Sequence, residues 1–337
     1  MKALFIGGTG TISTAITKRL SQMPEWELYL INRGNRNDIL PENVRTIKAD
    51  INNEKEVAEA IKDLTFDTVC DFIGFLPSQV ERDFRLFRGK TGQYMYISSA
   101  SAYQKPLASC FITESTRLDN RYWQYSRDKI ACEDLLAGYY RNEGFPVTIV
   151  RPSQTYDERN LPLSIQGRNG CYQVIKRMLA GKPVLIQGDG TSLWTVTHNS
   201  DFAKAFVGLM GNVHAVGETF QITGDEILTW DQIYKTVADI LGVPFKPYHV
   251  SSDFLADTAP YDFRGSLTGD ASNSVIFDNS KVKRAVPGFV ATTRFDQGAR
   301  MCVEHILSHP ELQKEDTEFD EWCDRVISVL EESKKQF

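Results

Sequence analysis

From residue 1 to about residue 155 the chain alternates short β-type apolar runs with longer stretches whose apolar positions recur at helical spacing. Six runs read as strands, at 2–6, 27–32, 44–49, 68–72, 93–98 and 147–151, most of them rich in Val, Ile, Phe and Tyr. Between them, Asn53 with Glu56 three residues later makes a capping pair ahead of Val57, Ala60, Ile61 and Leu64, which predicts a helix. Pro77 and Ser78 open a second helix, and 122–143 is long enough to cross a whole sheet. Strands alternating with helices predict an α/β fold with a doubly wound parallel sheet.

Beyond Arg151 the alternation weakens, and the stretch 152–170, rich in Pro, Asn and Gly, reads as a loop leaving the first lobe. There follow a helix at 170–180, a strand at 183–186, a turn at Gly188-Asp189-Gly190 and a helix at 200–210. The run 218–223 reads as a strand able to return to the first sheet. A helix at 229–241, β pieces near 245–250 and 274–277, and two C-terminal helices complete the pattern. The expected division is a nucleotide-binding lobe at 1–155 with about 198–225, and a smaller, interleaved substrate-binding lobe at 156–197 and 226–337.

The first strand runs into Gly7-Gly8-Thr9-Gly10-Thr11-Ile12-Ser13 and then into a helical segment. Glycines there let backbone approach a pyrophosphate, and the bare amides and positive end of the helix favour an anion. That pattern predicts a Rossmann-type dinucleotide site, although Ser13 stands where the fingerprint has its third glycine, which makes close helix–strand packing less comfortable. A glycine turn that merely joins strand to helix is the alternative. At the end of the second strand an acidic residue would select the free 2′-hydroxyl of NAD, and a basic one suits the phosphate of NADP. This chain has Asn32-Arg33 with Arg36 nearby, so NADP(H) is favoured and NAD(H) remains open; solvated loop arginines are the alternative. Asp50, after the third strand, suits either an acceptor for the adenine amine or a helix-opening residue.

Tyr125 and Lys129 stand four apart on a predicted helix and project from one face, where the ammonium can favour the phenolate. Tyr172 and Lys176 repeat the spacing. Only the first pair follows, within one crossover, a strand ending in hydroxyls, Tyr96-Ile97-Ser98-Ser99, at the sheet edge where open α/β folds bind ligands.

Composition narrows the remaining classes. In 337 residues, 42% are hydrophobic and 24% charged, a globular profile. A net charge of −6 disfavours a polyanionic partner, so nucleic acid is not expected. The six cysteines are widely spaced and the five histidines include no pair at helical zinc spacing, so reduced thiols and no metal are expected. No apolar run approaches the roughly 18 residues of a membrane span, and the opening run is too short for a signal peptide. A cytoplasmic enzyme is the expectation.

Taken together, these landmarks resemble the extended and atypical short-chain dehydrogenase/reductase superfamily, in particular its NAD-dependent epimerase/dehydratase group. The matching stretches are Gly7 to Ser13, Asp50-Ile51, Ser98 to Tyr103, Tyr125 to Lys129, Arg151-Pro152-Ser153, Gly188-Asp189-Gly190, His198 to Asp201 and Asp278 to Lys281. The resemblance implies a catalytic Ser99, Tyr125 and Lys129. In that assignment Tyr125 exchanges a proton with the substrate, Lys129 holds the nicotinamide ribose and promotes the phenolate, and Ser99 orients the substrate oxygen. It also implies coenzyme contacts at Gly7, Gly8, Thr9, Gly10, Thr11, Ile12, Asn32, Arg33, Arg36, Asp50, Ile51, Phe72, Ile73, Lys129, Pro152 and Ser153. The implied reaction moves a hydride between nicotinamide and a hydroxyl or carbonyl carbon of a small, sugar-like molecule. Where sugar-nucleotide enzymes present an arginine to the substrate diphosphate, alignment on His198 places Trp194, which puts a nucleotide-diphosphate sugar in doubt. Arg159, Arg168, Arg177 and Arg264 are the other candidate anion grips. Related enzymes pair through helices corresponding to 78–87 and 122–143, so a homodimer is expected. The competing expectation is a non-catalytic dinucleotide sensor or RNA-associated protein on the same fold.

Overall fold

The computed structural model describes residues 1–34 and 40–337. Seven strands form one sheet: β1 (Lys2–Ile6), β2 (Glu27–Asn32), β3 (Arg45–Lys48), β4 (Thr68–Asp71), β5 (Tyr94–Ile97), β6 (Val147–Pro152) and β7 (Thr219–Ile222). All neighbours are parallel, in the order β7-β6-β5-β4-β1-β2-β3. The predicted α/β, doubly wound parallel sheet is therefore present. The order reverses between β1 and β4, and such a switch point opens a crevice at the carboxyl ends of the two strands.

Period-two alternation along the strands explains the two-sided burial. Ala3 and Phe5 of β1 join Ile16, Leu20, Phe202 and Phe206 on one face, under α1 (Thr11–Ser21). Leu4 and Ile6 join Val57, Val80, Phe84 and Leu136 on the other, under α2 (Glu54–Ala60), α3 (Pro77–Phe87) and α4 (Gln124–Glu143). Both faces being covered, the inner strands read as unbroken apolar runs.

After β6 the chain crosses to a second core, built on α5 (Tyr172–Leu179), before returning through α6 (Asn199–Leu209), which packs on α1. β7 then pairs with β6, Phe220 opposite Val150, as its composition predicted. The second core also holds α7 (Trp230–Leu241) and the C-terminal helices Phe295–Ser308 and Thr317–Lys334. The composition of 152–170 predicts a loop, yet Gln154–Tyr156 pairs in parallel with Val196–His198. Three residues are too few to show a period.

Candidate active site

The turn after β1 has the backbone that a coenzyme phosphate needs. Gly7 has φ +83°, a region that favours glycine, and a Cβ there would lie 2.5 Å from Cγ2 of Ile73. A Cβ on Gly8 would fall 2.3 Å from Cδ2 of Leu30, so Gly8 itself supplies the close helix–strand approach. Ser13 therefore need not be glycine. Its buried hydroxyl accepts from the Gly10 amide at 2.8 Å, while Thr17 Oγ1 donates to the Gly8 carbonyl at 2.9 Å, pinning the turn to α1. A Cβ on Gly10 would have only Ser13 Oγ, 3.5 Å away, as a neighbour, so this glycine faces open space. The first-turn amides of α1 lack intrahelical acceptors and aim at the same space. An absent side chain, a forced φ and free helix amides together fit a dinucleotide pyrophosphate.

A groove of about 630 Å³ runs along these strand ends. Gly7, Thr9, Gly10, Ile12, Asn32, Arg33, Asp50, Ile51, Phe72, Ile73, Lys129 and Pro152 line it. Gly8 and Thr11 are not part of its wall, and Ser153 lines a neighbouring cavity instead. Arg36 falls outside the described residues. Asn32 Oδ1 accepts from the Gly34 amide at 2.9 Å, turning the chain so that the exposed Arg33 borders the groove. Asp50 borders the groove and its Oδ1 accepts from the Asn52 amide at 3.0 Å, while the residue that caps α2 is Asn53, so the helix-opening reading of Asp50 is corrected. Lys48, which sequence reasoning passed over, runs beside Gly34, its Cε 3.4 Å from where a Cβ would stand.

Tyr125 and Lys129 occupy the first turns of α4, on the face toward the sheet. The Lys129 ammonium is buried and donates to the carbonyls of Gly74 and Ile97, each at 2.7 Å. It lies 4.7 Å from the Phe75 ring centre, 4.8 Å from that of Tyr96 and 5.9 Å from that of Tyr125. Burial pulls it down to about 8, with the Asp71 carboxylate opposing. Tyr125 moves the other way: burial holds the phenol above its ordinary range, the Ser99 hydroxyl draws it back, and the charge of Asp270 raises it. Burial is the largest influence on this phenol, and the Lys129 ammonium is engaged by two carbonyls. Ser99 Oγ meets Ser101 Oγ at 2.9 Å and accepts from the Ser101 amide at 3.1 Å, which fixes its rotamer.

A buried salt bridge supports this face. Arg151, at the end of β6, binds Glu133 of α4 with Nε at 2.9 Å, and Ser98 Oγ donates to the same carboxylate at 2.5 Å. Nothing in the spacing of residues 98, 133 and 151 announced that triad.

The neighbouring cavity, about 820 Å³, lies between the sheet edge and the second core. Ser99, Tyr125 and Pro152 reach it, together with Lys105, Trp123, Trp194, Trp230, Phe263 and Asp270. Tyr125 and Pro152 line both spaces. Trp194 packs against Trp230 in a tilted arrangement, ring centres 5.2 Å apart, and donates through Nε1 to Gln154 at 2.7 Å. Of the four candidate anion grips only Arg168 borders this cavity. Arg159 pairs with Asp157, Arg264 with Asp257, and Arg177 is buried against Asp320. Lys176 pairs with Glu315 and Tyr172 reaches Gln313, so the second Tyr/Lys spacing belongs to the lobe's surface.

The family model described as NAD dependent epimerase/dehydratase family matches residues 3–223. The chain belongs to that family. It is an enzyme of the oxidoreductase class that uses a nicotinamide dinucleotide. Among curated proteins, 2'-dehydrokanamycin reductase of Streptomyces kanamyceticus is 23% identical over 275 residues, which is 78% of this chain and 76% of that one. Chloroplast stem-loop binding protein of 41 kDa b, of Arabidopsis thaliana, is 28% identical over 200 residues, 59% of this chain and 49% of its own length. A solved structure of UDP-glucuronic acid 4-epimerase from Bacillus cereus, in complex with UDP-glucuronic acid and NAD, superposes with a TM-score of 0.72 at 20% identity, over 91% of this chain and 99% of that one. Epimerases and dehydratases of this family thus share the fold. Among the described residues no group of His, Cys, Asp and Glu is placed to hold a metal ion, and no helix is long and apolar enough to cross a membrane.

Proposed function

We propose that this enzyme interconverts a hydroxyl and a carbonyl on a small, sugar-like ring, with Tyr125 as the proton-exchanging group. One observation carries this: Tyr125 lines both the coenzyme groove and the larger cavity, so its hydroxyl stands where the two meet. The coenzyme, when bound, supplies the hydride acceptor or donor. The protein supplies the geometry. A phenol held protonated by burial can donate to a substrate carbonyl oxygen in reduction, and the same group takes the proton back in oxidation. Ser99, its hydroxyl fixed by Ser101, orients that oxygen. Lys129 presents the ammonium that holds the nicotinamide ribose.

The same proposal includes NADP(H) over NAD(H), from Arg33 and Lys48 beside the groove, and the lobes as 1–155 with 198–225 and 156–197 with 226–337. A cytoplasmic homodimer paired through α3 and α4 completes it. Sugar-nucleotide relatives make such a compound one candidate substrate, and the reductase from Streptomyces kanamyceticus makes a sugar-like ring without a nucleotide another. Trp194 favours the second.

Native mass spectrometry of gently purified protein identifies the retained coenzyme and any co-purified metabolite. Turnover of keto-sugars, followed by the absorbance of reduced nicotinamide, then tests the phenol. Tyr125→Phe is expected to lower kcat by about a thousandfold or more while coenzyme affinity stays within about twofold. Wild-type rates in that variant exclude Tyr125 as the proton carrier.

A further inference from the structure

Lys105 and Asp270 lie side by side on the wall of the larger cavity, Nζ and Oδ1 3.8 Å apart, too long for a direct hydrogen bond. The Lys105 side chain is 1% exposed, and this one ion pair is its ammonium's only partner among the described residues. With no direct protein hydrogen bond among the described residues, its N–H groups are left for whatever occupies the cavity. Both groups line the cavity with Tyr125 and Ser99, and the Asp270 charge reaches the Tyr125 phenol.

The mounting is rigid. Asp270 sits in a π-helical turn, Leu267–Ala271, a rare geometry that concentrates at functional sites. Asn120 Nδ2 donates to the Gly269 carbonyl at 2.6 Å and Trp230 Nε1 to the Ala271 carbonyl at 2.8 Å, clamping the turn from both sides. Lys105 is carried on the loop that leaves Tyr103, itself buried.

We propose that Lys105 and Asp270 are a specificity-determining pair that binds a hydroxyl of an uncharged, polyhydroxylated ring. A hydroxyl both donates and accepts, so set against the pair from the cavity side it accepts from the ammonium and donates to the carboxylate. A substrate amine would meet the Lys105 charge, and a carboxylate or phosphate would meet that of Asp270. The pair therefore disfavours either kind of ion at this position. Trp123, Trp194 and Trp230 supply the flat apolar walls against which the C–H face of a sugar ring packs. The inference rests on the oxidoreductase reading of this cavity and names its substrate class.

The test uses full-length protein saturated with coenzyme and saturation-transfer NMR with three probes: methyl α-D-glucopyranoside, glucosamine and glucuronate. The neutral glycoside is expected to bind best. Lys105→Met and Asp270→Asn should each weaken it about tenfold, the loss expected from removing one side of a charge-assisted hydrogen bond. Coenzyme affinity, read by nicotinamide fluorescence, should stay unchanged in both variants; its loss in the wild-type protein would instead count against the coenzyme groove. Because burial raises the Asp270 carboxyl to about 6, it is ionised at neutral pH against a desolvation cost. The proposal is overturned if both variants bind the glycoside as wild type does, or if the wild-type protein prefers either charged sugar or binds none of the three.

Discussion

Lys129 is a lysine that burial has brought close to working pH, and this gives the coenzyme site a pH dependence of definite sign. Its carbonyl partners, Gly74 and Ile97, satisfy two of its three N–H groups, leaving one for a ribose hydroxyl on the groove side. The folded value is lowered to about 8, so the ammonium is charged below that pH and loses its proton as pH rises through it. Affinity for reduced coenzyme, measured by fluorescence from about pH 6.5 to about pH 9.5, should be flat at the acid end and weaken above about 8, by roughly tenfold in all. Lys129→Met should bind weakly throughout and show no such inflection. An equally pH-independent wild-type affinity would remove Lys129 from the ribose contact. The residue was legible from sequence because four-residue spacing puts it beside Tyr125 on one helix face, a purely local relation. Its depressed value was not, since that depends on Phe75 and Tyr96 closing over it from other elements.

At the scale of elements, the site depends on how firmly α4 is held to the sheet edge. Glu133 lies one turn beyond Lys129, and its carboxylate takes Arg151 from β6 and Ser98 from the end of β5. The ion pair's side chains are 6% and 5% exposed, so removing the acid leaves an uncompensated guanidinium in the interior. Glu133→Ala should lose about 3–5 kcal/mol of stability in denaturant unfolding followed by circular dichroism. A loss under about 1 kcal/mol would show that water reaches Arg151 and that the clamp carries little. The strands and helices here were readable because each carries its own period and its own cap, as Asn53 does for α2. The contacts between them were not. Glu133–Arg151 and Lys105–Asp270 join segments distant in the chain, and no single-sequence pattern ties such positions together. The same limit explains Gly8, whose reason for being glycine is Leu30 on the next strand.

Across the whole molecule, coenzyme preference and global stability become one measurement. The groove is walled by the ends of β1, β2, β4 and β5 and by α4, so a bound dinucleotide ties together segments distant in the chain. Binding to the native state alone stabilises by RT ln(1 + [L]/Kd), about 2.7 kcal/mol when ligand stands at 100 times Kd. If Arg33 grips a 2′-phosphate, NADP(H) should raise the melting temperature more than NAD(H) at equal concentration. Arg33→Ser should erase most of that difference, since a tenfold weaker Kd removes about 1.4 kcal/mol of linkage, while leaving the NAD(H) shift intact. Lys48, beside Gly34, is placed to supply a second cation, so Arg33→Ser with Lys48→Ala should fall further than either substitution alone. Equal shifts with the two coenzymes in the wild-type protein would instead assign Arg33 to solvent. Asn32, whose side chain is engaged by the Gly34 amide, would then be the residue left facing the ribose.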